Sequence, residues 1–486
     1  MSKEKKQEKS ILGVTLKQWA GLLGAFAVGA AVMMMPTPAG LSITGQKALG
    51  LFAAILVLWA TEPVPLPIVS LLMVPAAIFT GAVPAKGAVA KTLESFATSS
   101  AFLIAGSLIM SEAMSKTGFA ARMIYTLMSK IGSSVTRITL GIMLANIVLA
   151  FMVPSSSART AVLLPICLGL IEVFRKSTGQ AGRSTFAVTI LLTLAFTNAT
   201  ISAGILTATI PNPITVGMIA KASGYTISYQ EWFIYGFPPA LIMTIFTWWF
   251  IGRVFKPELA ELPGGKEFIQ KKLDEMGKMK VSEWQTAFVF LGVVILWMTG
   301  SMTKIDSTIA VLMGVVALYV FRVITWADAN KTPAFQFMML LGGGFLIANM
   351  LIDTKAADWA AAQLFKMLSL NGASTLVVLL VVMLVVQYLH IPFMGTTKMT
   401  TMVMPIVIGL AASAKVPVVA LAMPAGMLIG GYPLFLFYNT IPNLLVYGTN
   451  ELKMSDFPKV GFVVCTLAVI LYAACATTYW RWLGLF

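Results

Sequence analysis

Two short polar segments interrupt apolar sequence and carry the residues best able to hold an anion. The first reads Ser155-Ser156-Ser157 and is followed by Arg159; the second reads Gly395-Thr396-Thr397 and is followed by Lys398. Hydroxyls donate to carboxylate oxygens, and a helix starting just after such a tip presents free N–H groups and its positive dipole end. A cation inside apolar sequence is costly. Arg159 and Lys398 therefore supply fixed positive charge to a bound anion, snorkel to an interface, or pair with a distant acid. Downstream of each tip lies a second element, Thr209-Ile210-Pro211-Asn212 and Thr440-Ile441-Pro442-Asn443. Proline there removes a helical hydrogen bond and frees carbonyls near Thr207 and Thr209, or Asn439 and Thr440, able to coordinate a substrate or cation. Alternatively, proline only kinks a packed helix and the asparagine satisfies the freed carbonyl.

Other chemistry has little to work with. The sequence shows no paired carboxylates, no metal-ligand cluster and no Ser/His/Asp arrangement, so no catalytic residue, metal or cofactor is assigned and an enzyme is not expected. His390 is the sole histidine, better explained as a structural residue than as a proton relay. Gly342-Gly343-Gly344 lacks the Lys-Ser/Thr of a phosphate loop and suits close helix packing instead. Cys167, Cys465 and Cys475 sit in apolar context and imply no disulfide. Glu62, just before Pro63, marks a helix end and receives no transport role; Glu112 lies within an apolar run.

The elements that must position the tips are set by composition. Over 486 residues, 58% are hydrophobic and only 11% charged, too little polar surface to cover a water-soluble globule. The apolar runs are continuous, whereas barrel strands alternate, so the fold class is an all-α polytopic membrane protein. Counting runs against the roughly 20 residues of a full crossing leaves roughly eleven spans, plus two re-entrant hairpins whose arms of roughly 15 residues flank the tips. The net charge of +15 sits largely in loops, which favours positive-inside orientation over nucleic-acid binding. Lys3, Lys5, Lys6 and Lys9 precede the first span, and Arg253, Lys256, Lys266, Lys271, Lys272, Lys278 and Lys280 crowd the longest polar loop; both segments are expected to be cytoplasmic. The first apolar run is too long for a signal h-region and is read as a retained span of a multi-pass inner-membrane protein.

An internal repeat organises the chain. The tip element, with Pro165-Ile166 and Gly169-Leu170, recurs 240 positions later (155 to 395) with Pro405-Ile406 and Gly409-Leu410, and the proline elements recur with Gly217 and Gly448. Residues 1–255 form a first repeat (tip at 155–157, broken helix near 207–213), 256–284 a cytoplasmic linker, and 285–486 a second repeat (tip at 395–397, broken helix near 439–443). Inverted topology is the expectation from transporter architecture. Two tips facing one cavity would hold two carboxylates of one small molecule.

With these residues the chain resembles the divalent anion/sodium symporter family, which includes INDY-type dicarboxylate and citrate carriers. The resemblance rests on Trp59-Ala60-Thr61-Glu62-Pro63-Val64-Pro65-Leu66, on Glu94-Ser95-Phe96 leading to Lys116-Thr117-Gly118, on Leu340-Leu341-Gly342-Gly343-Gly344, and on the paired tips with their Pro-Asn elements. It implies a homodimer in which a transport domain bearing both hairpins slides, elevator-like, against a fixed scaffold. It implies four- or five-carbon dicarboxylate substrates such as succinate, malate, fumarate or 2-oxoglutarate. The family carries Ser-Asn-Thr at each tip, binding substrate carboxylates and helping to form sodium sites. Both tips here depart from that triplet and lack its asparagine. If Arg159 and Lys398 replace bound cations, the empty site stays positively charged, crosses reluctantly, and exchange becomes obligatory. A sodium-coupled symporter and an anion channel on the same scaffold are the alternatives.

Overall fold

The computed structural model describes residues 10–11, 14–84, 86–180, 182–370 and 372–485. Lys3, Lys5, Lys6 and Lys9 lie outside them. A two-residue ladder, β1 (Ser10–Ile11) with β2 (Val14–Thr15), precedes an otherwise helical chain. Helices α1 (Leu16–Met34) and α2 (Ile43–Thr61) form a close pair: a Cβ on Gly29 would lie 2.9 Å from Ala54 Cβ, and one on Gly50 would lie 3.0 Å from Gly29 O. Small residues let membrane helices approach this way.

There follow α3 (Leu66–Phe79), α4 (Ala88–Glu94) and α5 (Ser99–Thr117), α6 (Phe119–Ser129), α7 (Val135–Met152), α8 (Ser156–Thr178) and α9 (Thr185–Ser202). A single 3₁₀ turn, Leu206–Ala208, leads into α10 (Pro211–Ser223), α11 (Tyr229–Val254) and α12 (Gly265–Glu275). The second half runs through α13 (Val281–Met298), α14 (Gly300–Thr303), α15 (Ser307–Val320), α16 (Trp326–Lys331), α17 (Ala334–Asp353), α18 (Ala356–Met367) and α19 (Thr375–Tyr388). It ends with α20 (Thr396–Ser413), α21 (Val418–Gly431), α22 (Ile441–Tyr447), α23 (Asp456–Thr477) and α24 (Tyr479–Trp482). The series α4–α5, α6, α7, α8, α9, break, α10, α11 is thus repeated as α16–α17, α18, α19, α20, α21, break, α22, α23.

The two halves interlock. Arm α8 of the first hairpin packs against α22 of the second half, and arm α20 of the second hairpin packs against α10 of the first; α5 meets α17. Hydrogen bonds fix which ends lie together. Val135 N donates to Ala260 O, Glu258 accepts from the N–H groups of Thr185 and Phe186, and Arg175 and Arg183 pair with Glu451 and Asp456. The starts of α7, α9 and α23 therefore share the linker end. At the opposite end Trp359 Nε1 donates to Ala39 O, and Asp353 pairs with Lys91 and Lys221. Helix α19 descends from α18 at that end, so the hairpins enter from opposite ends.

Among the described residues nine helices are long and apolar enough to cross a membrane, or ten if the α4–α5 pair, bent by 43°, counts as one. Both arms of the first hairpin are among the nine, at 18 and 23 residues. Arm α8 outruns its apolar run because the polar tail Arg175-Lys176-Ser177-Thr178 stays helical until Gly179 (φ 67°), and α7 because it already starts at Val135-Thr136-Arg137. The second hairpin has arms of 14 and 18 residues. The basic linker is likewise more than a loop. Its helix α12 seats Phe268 against Gly169, where a Cβ would lie 2.2 Å from the ring, and Arg122 ties its far end through Gly277 O and Glu283.

Candidate functional site

At each tip the helix restarts on the first residue of the triplet found by sequence. Ser155 caps α8, its Oγ accepting from Ala158 N at 3.3 Å, with Ser156 and Ser157 in the first turn. Gly395 caps α20 at φ 96°, a region that disfavours any side chain, with Thr396 and Thr397 in its first turn. All six residues are half-buried. The second break is longer, spanning residues 389–395. It is closed by Asn439, whose Nδ2 donates to His390 O (2.7 Å) and Phe393 O (3.2 Å) and whose carbonyl accepts from Gly395 N. His390 is buried with its two ring nitrogens 2.8 and 3.2 Å from the carbonyls of Gln387 and Ile429.

The broken helices are built alike. Asn212 Nδ2 donates to Ser202 O (2.8 Å) and Ile205 O (2.9 Å), ten and seven residues upstream (212 − 202, 212 − 205). Asn443 Nδ2 donates to Pro433 O (3.0 Å) and Leu436 O (3.2 Å), at the same offsets (443 − 433, 443 − 436). The asparagines thus bind carbonyls at the end of the preceding helix and in the break, not those four residues before the prolines, while Thr440 caps α22 by accepting from Asn443 N. Pro211 and Pro442 sit at the first and second helical positions, where their missing N–H costs nothing. Leu434 O, inside the second break, lies where Gly461 would carry a Cβ, 2.1 Å away, so this loop rests on α23 without room to give. Asn443→Ala strands Pro433 O, since Leu436 O also accepts from Asn439 N, and is expected to cost about 1–3 kcal/mol, lowering the unfolding midpoint in detergent; Asn212→Ala, which strands Ser202 O, should match it, and a variant as stable as the wild type would remove this role.

Arg159 is fully buried and joins the first tip to the first break. Its Nη1 donates to Val153 O at the tip (2.7 Å) and Ala208 O in the 3₁₀ turn (3.0 Å), its Nε to Asn198 Oδ1 (2.8 Å), and its Nη2 to Ser202 Oγ. Asn198 reaches back to Ser156 O and Thr160 Oγ, both at 2.8 Å. Every acceptor is neutral, so the guanidinium charge is held in place and left uncancelled by its hydrogen-bond partners. Asn198 and Ser202 escaped sequence reasoning. Their signal is the polar series Thr193, Thr197, Asn198, Thr200, Ser202 in an otherwise apolar helix, all of it buried.

Lys398 behaves differently. It forms an ion pair with Glu62, at the end of α2, which closes that helix in a left-handed conformation (φ 45°). Sequence reading placed the helix end correctly but gave Glu62 no partner. Both residues line a cavity of about 430 Å³ together with Gly395, Thr397, Tyr438 and Thr440. The structure brings the second tip and second break to this cavity; Ser155, Ser156 and Ser157 are not on its wall. A larger cavity of about 820 Å³ lies between α5, α10 and α17 at the opposite end and contains no tip residue.

Interlocked repeats, two hairpins entering from opposite ends and broken helices at their tips define a multi-pass membrane transport protein. Residues 16–486 match the family described as the sodium:sulfate symporter transmembrane region, and the chain belongs to that family. It is 29% identical over 489 residues to the sodium-dependent dicarboxylate transporter SdcS of Staphylococcus saprophyticus (96% of this chain, 92% of the relative). It is 24% identical to the putative malate transporter YflS of Bacillus subtilis (96% of each), and 28% identical to a membrane protein of Cupriavidus necator (96% and 93%). The crystal structure of the Alcanivorax borkumensis YdaH transporter shares the fold, with TM-score 0.54 at 12% identity over 96% of this chain and 97% of that one.

Proposed function

We propose that this chain carries four- or five-carbon dicarboxylates across the inner membrane by sodium-independent exchange, using elevator-type movement of the hairpins in a homodimer. The observation that carries the exchange reading is the Arg159 cage. A dianion moved through a low-dielectric barrier needs compensating charge, and an arginine remains charged at any physiological pH. Because Arg159 is bound to both the tip and the break, its charge cannot leave with the substrate. The empty carrier then bears an uncancelled cation and crosses slowly; a bound dianion is met by Arg159 and by Lys398 at the second tip, so the loaded site is neutral and crosses readily. Ser155, Ser156 and Ser157, with Gly395, Thr396 and Thr397, supply hydroxyls and N–H groups to the carboxylates. Thr209, Pro211 and Asn212, with Thr440, Pro442 and Asn443, shape the floor beneath them.

Sodium-coupled symport is the second reading, favoured by the sodium dependence named for SdcS. Labelled succinate uptake into proteoliposomes separates the two. Uptake confined to vesicles preloaded with dicarboxylate and indifferent to sodium is the expected result; sodium-driven uptake into empty vesicles would establish symport and overturn the role given to Arg159.

A further inference from the structure

We propose that Glu62 is an internal stand-in for a substrate carboxylate: it occupies Lys398 in the empty carrier, and an arriving dicarboxylate must displace it. The inference rests on the dicarboxylate reading above and adds a coupling residue to it. The two partners are 336 residues apart in sequence and belong to different parts of the fold. Lys398 sits in the first turn of α20, directly after the second tip, while Glu62 lies in the connection from α2 to α3. Their ion pair therefore ties a hairpin to helices outside it.

Three features make the pair replaceable rather than merely structural. It stands on the wall of the cavity that Gly395, Thr397 and Thr440 also line, so a ligand bound to the tip reaches the Lys398 ammonium. Among the described residues on that wall, Glu62 and Lys398 are the only charged ones. While they are paired, the cavity offers an entering dianion no net attraction; once Glu62 withdraws, it offers a cation. The exposures of the two side chains differ in the right sense. Glu62 is 54% exposed and has room to rotate off the lysine, whereas Lys398 is 16% exposed and held at the tip. The backbone supports the same division, because Glu62 closes α2, its N–H bonded to Leu58 O, and the following Pro63 restricts the chain. Its carboxyl is thus carried by a fixed backbone and moves by side-chain rotation alone.

The consequence is a latch. The empty carrier is held by Glu62 on Lys398, and substrate both takes the lysine and releases the hairpin. Obligatory exchange rests on the caged charge of Arg159, and the latch sets how readily substrate gains Lys398. A ligand can shift such an equilibrium only through a difference in affinity for the two states. Here the difference is the lysine itself, available to substrate only when the latch is open.

The test uses the full-length protein and the variants Glu62→Gln and Glu62→Ala, each purified and reconstituted, with succinate as probe. Without the competitor, calorimetric succinate affinity should rise about threefold or more, while uptake should still require preloaded dicarboxylate, because Arg159 and an unpaired Lys398 leave the empty carrier more positive than before. The rise in affinity should appear in either variant. A merely structural ion pair would lower the unfolding midpoint while leaving affinity as in the wild type, and that pattern would overturn the proposal. Wild-type protein that exchanges succinate alongside unchanged variants brings down the latch alone. Wild-type protein that neither binds nor exchanges succinate brings down the dicarboxylate reading and the latch with it.

Discussion

Arg159→Ala should reduce exchange about a hundredfold or more and lower the unfolding midpoint of the purified protein. The substitution removes the fixed charge and also abandons Val153 O, Ala208 O and Asn198 Oδ1 together, Ser202 Oγ keeping its bond to Asn198 O, and each buried group left unpaired costs about 1–3 kcal/mol. Loss of the charge alone would cut exchange with an intact fold; the cage adds a stability cost, because the same side chain ties tip to break. Arg159→Lys separates the contributions. It keeps the charge, but three donors on one nitrogen cannot reach acceptors spread around a planar guanidinium. Partial exchange in Arg159→Lys with none in Arg159→Ala would assign the loss to charge. Near-normal exchange in Arg159→Ala would end the fixed-charge account.

The second large effect is expected at Gly344, on the face of α17 that meets arm α20. A Cβ there would lie 2.3 Å from the Thr401 methyl, far inside the roughly 3.5–4.0 Å of carbon contact, so even Gly344→Ala must displace the hairpin. If the hairpin travels along α17 during transport, this substitution obstructs the path at every passage. Turnover should fall about tenfold or more while succinate binding, measured by calorimetry, persists, since overpacking of this kind typically costs only about 1–3 kcal/mol. Adding Thr401→Ser removes the methyl that clashes and should recover part of the rate. Wild-type turnover in Gly344→Ala would mean that α20 does not slide on α17.

What could be read from sequence follows the range of the interactions. The tips and Pro-Asn elements were visible because duplication repeats them at fixed offsets, and the asparagine contacts, seven and ten residues upstream in both halves, are local. The arm lengths were underestimated because an apolar run ends where charge begins, whereas α8 continues through Arg175 and Lys176 to a glycine. The partners of the two cations were out of reach for a different reason. Arg159 finds Asn198 and Ser202 across a helix 39 and 43 residues away, and Lys398 finds Glu62 across 336. Similar placement next to the tips made the two cations look equivalent, yet one is caged by neutral groups and the other is neutralised by an acid. The expectation of a single cavity faced by both tips is likewise a tertiary statement; the cavity of about 430 Å³ is lined by the second tip.

The reciprocal packing of α8 on α22 and of α20 on α10 has a meaning for biosynthesis. Helix α22 begins 285 residues after α8 (441 − 156), so the ribosome finishes the first hairpin long before its counterpart exists. Until then the face of α8 that α22 will cover is without its neighbour. Closing so long a loop places assembly of the packing between the two halves among the late events of folding. A nascent chain released before Ile441 would hold the Arg159 cage but lack the helix that packs on its arm.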